Sequence, residues 1–238
     1  MGATTLADNL SHVRERIRRA CERAGRRPDD VRLVAVTKSV GDDAIRSLCL
    51  LGVTDIGENR VQDARAKQDA LGGRLGIRWH MIGHLQTNKA RQALGLFDLF
   101  HSVDSVHLAQ ALAARHQAPA PLPILIQCNV SGEESKFGVA PDALPALLDV
   151  VAQASSLCLE GLMTMAPFSD DAEASRPAFA GLRELAARAR AHTGLPMPHL
   201  SMGMTRDFEA AIEEGATMVR IGTALFSEEG EVKSESGK

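Results

Sequence analysis

Eight short apolar stretches, at 32–37, 54–57, 78–82, 96–102, 123–129, 157–163, 199–202 and 217–222, punctuate this chain, and a helix-like segment separates each from the next. The helical segments lie near 41–51, 59–71, 87–94, 105–117, 141–154, 173–192 and 206–214, where apolar residues return every three or four positions. A strand, a crossover helix and a second strand make a parallel unit, because a connection of that length carries the chain back to the same end of the sheet. Eight such strands in 238 residues predict an α/β fold, a single closed (β/α)8 barrel of the TIM type, rather than an open doubly wound sheet. Leu6, Leu10, Val13, Ile17, Ala20 and Ala24 add an extra amphipathic N-terminal helix, with Gly25 ending it. No long Pro/Gly/Ser linker divides the chain. The barrel domain is expected over 1–226, and the polar stretch 227–238 is expected to be a disordered tail.

Composition restricts the partners. Lys and Arg number 27 against 30 Asp and Glu, so no overall basic field marks nucleic acid or an anionic membrane as a target. Apolar runs stop well short of the ~18 residues that mark a membrane helix. The N-terminus lacks the charged-then-apolar order of a secretory signal, and Leu6 stands where a myristoylation motif needs Ser or Thr. Cys21, Cys49, Cys128 and Cys158 are widely spaced, which predicts buried free thiols in a reducing cytoplasm rather than disulfides. Arg14, Arg16, Arg18, Arg19 and Arg23 crowd one face of the first helix. A solvated face is the first expectation for them, and attraction of an anionic partner the second.

A barrel carries its site at the C-terminal ends of its strands. The stretch LVAVTKSV at 33–40 runs four apolar residues into Thr37 and then delivers an amine, Lys38, at such an end. After strand seven, Ser201 offers a hydroxyl and Gly203 lets backbone approach an anion closely. Thr205 is placed to cap the next helix, whose inner face carries Phe208, Ala211 and Ile212. Gly222 and Thr223 repeat the pairing of a small residue with a hydroxyl after strand eight. These two turns suit a phosphate, which barrels often bind there, and they equally suit ordinary β-α connections. Barrel closure makes strands one and eight neighbours, so Lys38 faces the candidate phosphate site. A neutral lysine attacks a carbonyl, either that of pyridoxal phosphate or that of a phosphorylated sugar. A partly buried setting lowers a lysine's pKa toward that neutral form. Arg220 shares the face of Gly222 by the strand period of two. It is placed either to donate to the pyridine nitrogen of such a cofactor or to enter a structural ion pair.

Eight motifs occur together and in order: AVTKSV around Lys38, IGENRVQD at 56–63, WHMIGHLQTNK at 79–89, SVDS at 102–105, NVSGEESKFG at 129–138, GLMTMAP at 161–167, LSMGMTRDFEAAIEEG at 200–215 and VRIGTALF at 219–226. With them the chain resembles the pyridoxal-phosphate homeostasis protein family over about residues 6–226. The resemblance implies a barrel similar to the N-terminal domain of alanine racemase, with pyridoxal 5'-phosphate as cofactor. It implies a Schiff base at Lys38, phosphate contacts from Ser201, Gly222 and Thr223 beside Gly203, and Arg220 near the ring nitrogen. It also places Asn59 of the GEN motif and Met163 or Met165 at the pocket. Two departures are mild: Ser227 replaces a glycine, and Thr205 replaces a serine while keeping the hydroxyl.

Two functions fit that site. The first is a carrier that holds pyridoxal phosphate in the cell and keeps its free level in order; the second is an amino-acid racemase. Racemisation needs an acid/base group on each face of the substrate carbon. In the racemases this barrel resembles, a tyrosine from a second domain supplies one of them, and this chain contains no tyrosine and no segment expected to form that domain. The carrier reading is therefore preferred, with client apo-enzymes as further partners and a monomer or weak dimer implied by the resemblance. His80 and His84 give H-x-x-x-H on an expected strand, which lacks the helical spacing of a metal site. Lys136, in the charged loop GEESKFG, is read as a solvated residue or as a second aldehyde-reactive amine.

Overall fold

Each expected strand forms, with ends shifted by at most three residues: β1 (Arg32–Val36), β2 (Asp55–Glu58), β3 (Arg78–Met81), β4 (Leu99–Val103), β5 (Leu122–Gln127), β6 (Leu157–Met163), β7 (His199–Ser201) and β8 (Met218–Ile221). All eight are parallel and close into one barrel in sequence order. The last pairing, which sets Val34 against Arg220 and Ala35 against Ile221, joins β1 to β8. The architecture is that of a computed structural model, which describes residues 5–73, 76–133 and 136–227. Glu134 and Ser135 of the charged loop, and the expected tail beyond Ser227, lie outside the described residues.

The helices are α1 (Leu6–Arg23), α2 (Asp42–Leu50), α3 (Val61–Ala70), α4 (Ala90–Ala93), α5 (Val106–Arg115), α6 (Leu144–Gln153), α7 (Arg176–Thr193), α8 (Phe208–Glu213) and α9 (Thr223–Phe226). The segment expected as one helix at 87–94 divides into a 3-10 turn, Thr87–Lys89, and the single turn of α4. α9 has no counterpart among the expected helices, since four residues are too few to show a helical period.

Leu99 and Phe100 are adjacent in β4 yet belong to different cores, because successive side chains leave opposite faces of a strand. Phe100 joins the large core between sheet and helices, with Trp79, Leu112, Phe179 and Phe208. Leu99 meets Leu125, Met163 and Met218 in a small cluster contributed by four strands, the packed interior of the barrel.

α1 buries Leu10, Val13, Ile17, Ala20 and Cys21, and starts with a capping box between Thr5 and Asp8. Its arginine face is more than a solvated one. Arg16 lies 4.5 Å over the Phe208 ring and 3.0 Å from Glu209, and Arg23 lies 2.6 Å from Glu213, so both fasten α1 to α8. Arg18 and Arg19 pair within the helix to Glu15.

Two expectations are corrected. Thr205 does not cap α8: Asp207 precedes its first residue, and the Thr205 hydroxyl instead accepts the Ala224 N–H at 3.3 Å. The turn after β7 is two residues longer than the sequence suggested, because Asp207 Oδ1 ties back to the Met204 N–H at 2.7 Å. Of the four cysteines only Cys21 and Cys128 are buried; Cys49 is half-buried and Cys158 exposed, since Cys158 lies near the start of β6 on the face opposite the core residues Leu157 and Leu159. Among the described residues, no helix is long and apolar enough to cross a membrane.

Candidate functional site

The C-terminal ends of β1, β7 and β8 surround a cavity of about 400 Å³. Val36, Lys38 and Ser39 come from the end of β1, Met204, Thr205 and Arg206 from the β7–α8 turn, and Arg220, Gly222 and Thr223 from the end of β8. Phe168, from the β6–α7 loop, and Arg16, from α1, complete much of the rim. Lys38, Arg220, Gly222 and Thr223 were expected at one site, and barrel closure brings all four to one wall.

Lys38 is exposed at the cavity mouth, so its setting is not the partly buried one that favours a neutral amine. The residue before it carries the burial instead. Thr37 is fully buried, its N–H donates to the Gly57 carbonyl at 3.1 Å, and its hydroxyl donates to Glu58 Oε1 at 2.5 Å. Lys67 on α3 donates to both the Thr37 carbonyl and Glu58 Oε1, each at 2.6 Å. Lys38 therefore extends from a backbone unit fixed on three sides.

Arg220 is 4% exposed and lines the cavity from below. It donates to Ser201 Oγ at 2.7 Å and to the Thr164 carbonyl at 3.0 Å. Burial lowers its guanidinium from the usual range to about 10, which leaves it a cation at neutral pH. Both acceptors are neutral, and no carboxylate among the described residues pairs with it. The structural ion pair considered for this residue is not among its described contacts.

Other expected site residues lie off the cavity wall. Ser201 is fully buried, with its hydroxyl shared between Arg220 and His101. Gly203, at φ +91°, sits where a Cβ would be 2.6 Å from that of Ala211, so its visible role is close packing of the β7–α8 turn. Met163 belongs to the barrel interior, and Met165 is exposed beyond β6. Asn59 stands beside Lys38 by the β1–β2 register, which sets Val36 against Gly57. Its Oδ1 is buried without a hydrogen-bond partner.

Thr205, Arg206, Phe168 and Arg16 also line the wall and are not among the expected binding residues. Thr205 was legible, since it keeps the hydroxyl of a motif position. Arg16 was not, because nothing local places the first helix over the mouth of a barrel whose last strands lie nearly two hundred residues away.

The two histidines of H-x-x-x-H go to separate environments. His80 bonds inside the barrel to Asp55 and His101, each at 2.9 Å. His84 stacks on Phe137 at 3.9 Å and bonds to Asp104 at 3.1 Å. Lys136 donates to the Ala166 carbonyl at 2.7 Å, which ties its loop to the one after β6.

Comparison with known proteins places the chain in a family. The model described as the N-terminal domain of alanine racemase matches residues 9–229. The pyridoxal phosphate homeostasis protein of Aquifex aeolicus is 44% identical over 222 residues, 93% of this chain and 97% of that protein. This chain belongs to that family. Its counterpart in Pseudomonas aeruginosa is 46% identical over 226 residues, covering 94% and 95% of the two chains. Among solved structures, PipY of Synechococcus elongatus, with PLP bound, superposes with a TM-score of 0.83 at 36% identity, covering 94% of this chain and all of that one.

Proposed function

We propose that this chain holds pyridoxal 5'-phosphate as a Schiff base on Lys38 and acts in the cytoplasm as a carrier that supplies client apo-enzymes, rather than as an enzyme. The observation that carries the reading is the single cavity wall shared by Lys38, Arg220, Gly222 and Thr223. The names of the relatives, and the PLP bound to PipY, support it.

Three features fit the cofactor. Lys38 offers an amine at the mouth, which condenses with an aldehyde as water leaves. Arg220 is a buried cation whose described hydrogen bonds go to neutral acceptors, with the Asp207 carboxylate near enough to favour its charge, so it suits a ligand that is anionic or presents a lone pair. Gly222 leaves a cradle in which a Cβ would lie 3.2 Å from the Val36 carbonyl oxygen. Its small size and the neighbouring Thr223 hydroxyl leave room and donors for a phosphate. Asn59, with its orphaned Oδ1, borders the same strand end.

Pyridoxal phosphate supplies an electron sink when its ring nitrogen is protonated. Arg220 cannot perform that protonation, because a guanidinium keeps its proton and only donates a hydrogen bond. Nor does the wall offer a second base in the usual form. Among its described residues there is no Tyr, His or Cys, and the carboxylate of Asp207 already accepts the Met204 N–H. Two-sided proton transfer therefore lacks one of its partners.

Borohydride reduction of cofactor-loaded protein followed by peptide mass spectrometry should place the label on Lys38. A label elsewhere sinks the assignment. Incubation of the loaded protein with L- and D-alanine should give turnover no faster than free pyridoxal phosphate, and faster turnover would establish the racemase reading instead.

A further inference from the structure

Five polar side chains run in unbroken contact through the barrel interior. Asp55 Oδ1 is 2.9 Å from His80 Nε2, and His80 Nδ1 is 2.9 Å from His101 Nε2. His101 Nδ1 is 2.8 Å from Ser201 Oγ, which accepts from Arg220 at 2.7 Å. His80, His101 and Ser201 are each fully buried. Asp55 opens β2 at the N-terminal end of the barrel, whereas Arg220 lines the cavity at the other end.

The acidic end of this chain fixes its direction once both rings are neutral, and burial pushes each histidine below its ordinary value, His101 strongly. The carboxylate of Asp55 can only accept, so His80 donates from Nε2 and accepts at Nδ1. His101 then donates from Nε2 and accepts at Nδ1, and Ser201 gives it the hydroxyl proton. Arg220 can only donate, and Ser201 accepts from it, so the far end agrees with that assignment.

We propose that Asp55, His80, His101 and Ser201 are positioning residues, forming a one-way hydrogen-bond chain that holds Arg220 in place from the far end of the barrel. The consequence for the cofactor rests on the pyridoxal-phosphate reading above; the chain itself does not. The charged groups around its lower end are Arg32 on β1, 3.2 Å from Asp55, and Arg78 on β3, which pairs with Glu160 on β6 at 3.4 Å. His199 on β7 lies 3.9 Å from Glu160. Burial alone would raise the Asp55 carboxyl, but the His80 hydrogen bond and the two arginines outweigh it and hold it below its usual value. The chain thus ends on a stable carboxylate. Of these groups only Asp55 continues into the pocket.

Nitrogen-15 spectra of the histidine rings in the cofactor-free full chain at neutral pH provide the first test. His80 and His101 should both be neutral with the proton on Nε2; an Nδ1 proton on either ring overturns the proposal. Ser201→Ala should then shift the ring nitrogens of His80, which Ser201 does not touch. A response confined to His101 also overturns it. Asp55→Asn should move the His101 ring, shift the absorbance of bound pyridoxal phosphate and weaken its retention several-fold. Glu160→Gln, which removes the adjacent carboxylate outside the chain, should do none of these. If Asp55→Asn leaves His101 and the absorbance unchanged, the chain is only structural. If the protein takes up no pyridoxal phosphate at all, the function proposed above falls, while the tautomers and the Ser201→Ala response still decide the chain.

Discussion

Replacing Lys67 with methionine should strip the support from beneath Lys38. Glu58 is fully buried, and its Oε2 has no hydrogen-bond partner, so its carboxylate relies on Oε1, shared between Lys67 and Thr37. Lys67 is 13% exposed on its side chain, which makes this a nearly buried pair. Removing one partner from a buried pair costs about 3–5 kcal/mol, because the other charge stays behind uncompensated. The residual exposure of Lys67 points to the lower end, about 3 kcal/mol. For a chain of this size, each kcal/mol lowers Tm by about 2–4 °C, so Lys67→Met should unfold roughly 6–12 °C earlier. The same change frees the Thr37 carbonyl, and borohydride labelling at Lys38 should fall with it. Adding Glu58→Gln removes the stranded charge, and the double variant should recover most of the lost Tm. Thermal unfolding followed by circular dichroism checks both. A Lys67→Met protein that melts within about 2 °C of the parent, or a double variant that recovers nothing, would refute the reasoning.

Two further outcomes can be checked on the same material. Gly203→Ala should lose about 2–5 kcal/mol, combining a left-handed backbone at φ +91° with a Cβ 2.6 Å from Ala211 and 2.8 Å from the Phe208 Cα; denaturant unfolding should show it, and near-parental stability would mean the turn relaxes freely. The buried histidines make stability depend on pH. Folded His80 and His101 resist protonation while the unfolded chain takes up protons below about pH 6.5. Their contribution is complete above that pH and is lost as pH falls below it, so Tm should drop between pH 7 and 5, and a flat profile over that window would contradict neutral buried rings.

The strand–helix alternation was legible because each element announces itself within a few residues. Val34 and Ala35 in β1, and Ile124 and Ile126 in β5, are apolar whichever topology they enter. Lys38, Arg220, Gly222 and Thr223 could be proposed for one site because they sit at strand ends, and a barrel collects its strand ends. Exposure was less legible. The sequence places Lys38 beside a buried strand, but only the packed turn shows that Thr37 takes the burial and the amine the solvent.

Local periodicity and turn residues were thus enough to establish the order of elements, the barrel they close into and the strand ends that meet at the cavity. Which side chains meet was settled only by the folded barrel. Arg16 reaches the cavity from α1, Lys67 supports Thr37 from α3, and Asp55 connects to Arg220 through β3, β4 and β7. Such contacts depend on how each strand is rotated in the closed barrel and how each helix seats against it, and no stretch of neighbouring residues encodes that alone.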